Sequence, residues 1–146
     1  MAITAKLIPE LDLWNFGKGI SPSDWIYGEG RADHALGFCA MLWPEVSTFE
    51  RYVLREPINV EHLRGWENAG CDRTQIETAM NAYFLDNIFP GDAAQPELKE
   101  AQLAHLAQNM VEILTAKLTS RFPDRTFSAF VIDDGDDFAV SFHQIS

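Results

Sequence analysis

The chain has 146 residues, with 22 acidic and 11 basic side chains, a formal net charge of −11 and 47% hydrophobic residues. That length lets one domain bury roughly 70% of its unfolded surface without help from a metal or disulfide. No segment gathers Lys and Arg, which removes the electrostatic basis for nucleic-acid binding and disfavours anionic membrane surfaces.

No apolar run approaches the roughly 18 residues that would suggest a membrane-spanning helix. Met1 to Phe16 contains no apolar secretory core. Cys39 and Cys71 form no C-x-x-C pair, so free thiols in a reducing compartment are expected. The expected location is cytoplasmic.

In chain order, Leu7-Ile8-Pro9 reads as a short extended piece and Trp14 to Gly19 as a loop. Ser21-Pro22-Ser23-Asp24 is a helix start with Trp25 just inside it. Ala32 to Trp43 predicts a helix with almost no polar face, which should be covered on most sides and stopped by Pro44. Val46 to Leu54 has the β-branched and aromatic character of a strand.

Asn59 is placed to cap a helix through Asn68, with Gly70 closing it. Asp72 caps the next, with Gln75 as capping-box partner. Ile76, Met80, Tyr83, Phe84 and Ile88 recur at helical spacing, so that helix is expected to run to the Pro90-Gly91 break. Pro96 opens a long helix to about Arg121, with Leu103, Leu106, Ala107, Met110, Ile113, Leu114 and Leu118 as its apolar stripe.

Phe127 to Ile132 and Phe138 to Phe142 alternate as the arms of a β-hairpin. A two-residue Asp134-Gly135 turn would set Asp133 opposite Asp136 and Val131 opposite Phe138. A third strand, expected from 46–54, and the long helix should complete the layer. The fold expected is α+β: one domain over 1–146, with about four helices on a small antiparallel sheet of about three strands.

Two features suggest contacts. Asp133, Asp134, Asp136 and Asp137 crowd the hairpin tip, more carboxylate than a turn requires. Calcium fits poorly, because the acids are compact and no terminal Glu follows. Trp25 and Tyr27, beside Gly28 and Gly30, suggest an aromatic binding surface. The four histidines are scattered, and no nucleophile, phosphate-loop or zinc spacing is present.

The expectation is therefore a non-catalytic protein-interaction or inhibitor-type module that binds a basic protein partner. Its contact residues would be Asp133, Asp134, Asp136, Asp137, Trp25 and Tyr27, without metal or cofactor. Two other readings stand beside it. One is an enzyme or small-ligand binder with a site assembled from separated residues. The other is a domain that self-associates through an edge strand at Phe138 to Ser146.

Overall fold

The computed structural model describes residues 2–89 and 94–145, so the expected break at Pro90-Gly91 and Ser146, the end of the expected edge strand, lie outside the described residues. The helices are α1 (Pro22–Glu29), α2 (Ala32–Leu42), α3 (Val60–Asn68), α4 (Arg73–Met80), α5 (Leu85–Ile88) and α6 (Pro96–Arg121). The strands are β1 (Val46–Phe49), β2 (Tyr52–Arg55), β3 (Tyr83–Phe84), β4 (Thr126–Asp133) and β5 (Phe138–Ile145). The fold is mixed α+β, with a long helix leading into a hairpin, as the sequence suggests.

Local chemistry places several boundaries. The Asn59 side chain accepts from the His62 N–H at the start of α3. Gly70 adopts φ +85° beyond its end, and Cys71 N–H donates to the Trp66 carbonyl, a left-handed closure that suits glycine. Asp72 and Gln75 form the reciprocal capping box of α4. α6 opens on Pro96 and buries Leu103, Ala107, Met110, Leu114 and Leu118.

Three expectations are corrected. The segment 46–54 is not one strand in the hairpin's sheet. It folds on itself as β1–β2, with Glu50 at φ +53° in the tight turn and its carboxylate held by Arg64. The helix expected through Ile88 ends at Met80, and Tyr83–Phe84 becomes the third strand of the sheet β3-β5-β4. The hairpin register is shifted by two residues. Val131 pairs with Val140, Ala129 with Phe142, and Asp133 with Phe138.

That shift has a local cause. The Asp134 carboxylate accepts from the N–H groups of Asp136 and Asp137, at 3.1 and 2.7 Å, and closes a four-residue loop from Asp134 to Asp137. Like charges at Asp133 and Asp136 then no longer face each other across the strands. Because the shift is even, every side chain keeps its face. β5 lies between β3 and β4; β3 pairs with it at Ala139 and Val140, and beyond them Asn81 and Glu77 take up the Phe142 carbonyl and the Gln144 N–H.

Two apolar clusters meet at β2. Val53 joins Leu103, Met110, Leu114, Val140 and Phe142 beneath α6. Tyr52 and Leu54 point the other way, onto Leu63 and Ile76 of α3 and α4. A strand buried on both faces loses apolar–polar alternation, which is why its sequence phase is poor.

β2 and β5 are joined through α4, by a polar clasp. Glu77 and Asn81, one helical turn apart, are both fully buried. Glu77 accepts from the Val53 N–H at 2.7 Å, the Gln144 N–H at 2.8 Å and the Gln144 side-chain amide at 2.7 Å. Asn81 donates to the carbonyls of Val53 and Phe142 and accepts from the Arg55 N–H. Arg55 donates to the carbonyls of Asn81 and Ala82, and its guanidinium lies 3.5 Å from the Tyr83 ring centroid.

Replacing Glu77 by Ala strands two backbone donors in a dry site and takes from the Gln144 amide one of its two acceptors, leaving it the Arg51 carbonyl. Unsatisfied buried donors cost about 1–3 kcal/mol each, so Glu77→Ala should destabilise the fold by at least about 2–4 kcal/mol. Urea unfolding measures this, and a loss below about 0.5 kcal/mol would show that the clasp is dispensable.

Candidate functional site

The N-terminal third holds a broad, open concavity. Its first wall is α1. Ser21 caps that helix by accepting from the Asp24 N–H, with Pro22 in the first turn. The Glu10 carboxylate then fixes the helix from outside, accepting from both indole N–H groups, Trp14 at 3.4 Å and Trp25 at 3.2 Å. The Trp14 ring lies flush on Gly28, where a Cβ would sit 2.9 Å from it.

Gly30 sets the angle between the two walls. Its N–H donates to the Ile26 carbonyl at 2.7 Å, and a Cβ there would meet that oxygen at 2.6 Å. Only glycine fits so tight a corner. α2 follows at once as the second wall. At its start the Arg31 guanidinium grips both oxygens of Asp33. That contact, aided by the His34 N–H, holds the Asp33 carboxyl below the usual carboxylate range.

Between the walls lies an open groove of about 590 Å³, lined chiefly by Trp25, Ile26, Tyr27, Ala32, Ala35 and Phe38. The helix expected to be buried forms one side of it. α2 has no buried residue, and Leu36 is 71% exposed. It touches the body along α6 and at its far end, where Phe38 meets Phe89, Leu42 packs on the core and Lys117 lies over Trp43. The expectation of burial fails because the body is already closed by α6 and leaves α2 lying outside it.

Tyr27 is 92% exposed, whereas Trp25 is half-buried, its ring in the groove and its N–H engaged by Glu10. The four aspartates sit apart from this groove, in and beside the β4–β5 loop, with Asp133 bordering a smaller recess with Lys99 and Phe138. Sequence reading thus found one wall of the groove through Trp25 and Tyr27. It missed Ala32, Ala35 and Phe38 because their apolar run reads as core. Leu13 and Phe16, on the turn that precedes α1, are exposed as well, outside the groove's lining.

No group of three His, Cys, Asp or Glu side chains is placed to hold a metal ion among the described residues. His105 and Glu112 share a second groove on α6, and the His105 Nε2 is buried without a hydrogen-bond partner. Seven residues of helix separate those two by about 10 Å along the axis, too far to act as an acid–base pair. No helix among the described residues is long and apolar enough to cross a membrane. Comparison with protein-family models, curated proteins and solved structures finds no match.

Gly30→Ala should reset the angle of the groove without reaching the clasp. Amide shifts should move at Ile26, Ala32 and Ala35 while those of Val53 and Gln144 stay in place. Shifts spread through β2 and β5 would show that the two regions are mechanically coupled.

Proposed function

We propose that this chain is a non-catalytic protein-interaction module, of inhibitor type, which docks a basic protein on its α1–α2 face. The observation that carries this reading is α2, an apolar helix with no buried residue. A helix apolar all round normally lies inside a structure, and an exposed apolar patch of this kind marks a contact surface. Tyr27 of α1 and Leu36 of α2 are likewise exposed.

A small molecule suits the groove less well. Small-ligand sites enclose most of their ligand, and a wall whose Tyr27 is 92% exposed cannot do that. The charge of −11 favours a basic partner by steering its approach. In this reading Trp25 and Tyr27 are direct contacts. Asp133, Asp136 and Asp137 contribute mainly to the long-range field, since the Asp134 carboxylate is already engaged in its own turn. The proposed setting is cytoplasmic, in keeping with two free thiols.

Affinity purification from the native cell should recover a stoichiometric basic protein, bound less tightly as salt rises. The double variant Tyr27→Ser, Leu36→Ser should lose that protein while stability changes by no more than about 0.5 kcal/mol per site, as surface substitutions do. Undiminished recovery by the double variant would contradict the assignment of the face.

A further inference from the structure

The α1–α2 groove has an apolar floor and a polar rim that carries Glu29, Arg31 and His34. Glu29 is the last residue of α1, and no basic residue occupies that final turn. Helix carbonyl ends carry partial negative charge, so an acid placed there deepens a field that a cation would relieve. The Glu29 carboxylate has no hydrogen bond or ion pair among the described residues. Arg31, the base nearest in sequence, is committed to both oxygens of Asp33.

The shape narrows the occupant further. Both walls are helices, whose backbone groups are bonded internally, so the groove presents no strand edge. An extended peptide would gain no main-chain hydrogen bonds there. A helix needs none, because it satisfies its own backbone. It docks by apolar side chains at i, i+3, i+4 and i+7, and Ala32 and Ala35 leave room between the flanking Tyr27 and Phe38.

A second copy of this chain is a poor occupant. Residues 21–43 contain three acids and one base, the engaged Arg31. The same face laid over itself would bring no cation to Glu29, and each copy carries −11.

We infer that the groove receives an amphipathic helix of the partner protein, with an apolar stripe on Ile26, Ala35 and Phe38 and a Lys or Arg against Glu29. This deepens the proposed function and rests on it. The cation works at the rim, where an exposed charge pair contributes modestly, while burial of the stripe supplies most of the affinity.

The test uses the full chain and three synthetic peptides of about 18 residues, near the length of five helical turns. One is a Leu/Lys peptide with helical apolar spacing, one has the same composition in strict alternation, and one is a helical Leu/Glu peptide. Titration calorimetry, amide-shift mapping and sedimentation of the chain alone are the readouts. The helical Leu/Lys peptide should bind best and shift Ile26, Ala35 and Phe38. Glu29→Gln should weaken it about two- to fivefold, in line with an exposed ion pair. Neutralising Asp133, Asp134, Asp136 and Asp137 to Asn should leave the shift map in place.

Equal binding of the alternating or Leu/Glu peptide, or indifference to Glu29→Gln, overturns the helix-and-cation inference while the docking face stands. Self-association abolished by Leu36→Ser does the same, in favour of a second copy. Shifts confined to the hairpin loop, with α1 and α2 silent to every probe in a chain that sediments as a monomer, overturn both the inference and the docking face.

Discussion

Everything else in this molecule depends on one turn of α4, where Glu77 and Asn81 hold two strands that do not pair with each other. β2 ends its own small sheet, and β5 is paired with β3 only at Ala139 and Val140. The backbone groups left over, Val53 and Arg55 on one side and Phe142 and Gln144 on the other, would be stranded in a dry interior. The two side chains supply their missing partners. A buried carboxylate is costly unless it is fully hydrogen-bonded, and this one receives three N–H groups. Arg125, bonded to the Gln144 side chain, adds a positive charge to the margin of the network.

The clasp explains the division of the chain. Once α4 has locked β2 to β5, α6 closes the layer beneath them with Leu103, Met110, Leu114 and Leu118. Little room is left for the N-terminal helices. α2 meets the body along α6 and near its own end, and α1 is fixed to the preceding turn by Glu10, Trp14 and Gly28 instead of by the core. The N-terminal helices are therefore the part of the molecule whose apolar surface has no cover, and that is the part proposed to meet a partner.

How much of this was legible in the sequence follows from the range of each interaction. The caps at Ser21, Asn59 and Asp72 act within three residues, and all three are in place. The stripe of α6 and the alternation of the last two strands repeat often enough to be read locally. Asn81 was not legible, because it ends the helix by bonding strands 28 and 61 residues away in sequence. The β1–β2 turn was hidden because it uses Glu50, not glycine, at a positive φ. The hairpin register was misread because Asp134 supports a longer loop than Asp-Gly usually marks. Of the candidate site, Trp25 and Tyr27 were legible as aromatics beside glycines. The exposure of α2 was not, since an apolar helix looks the same whether its cover lies in its own chain or in another.

The central claim is that a clasped, rigid body carries an uncovered helical face. Native-state hydrogen exchange, residue by residue, tests it most directly. The amides of Val53 and Gln144 should exchange only with global unfolding, together with the core of α6, while those of α2 exchange orders of magnitude faster. Protection in α2 equal to that in α6, or fast exchange at Val53 and Gln144, would contradict the account.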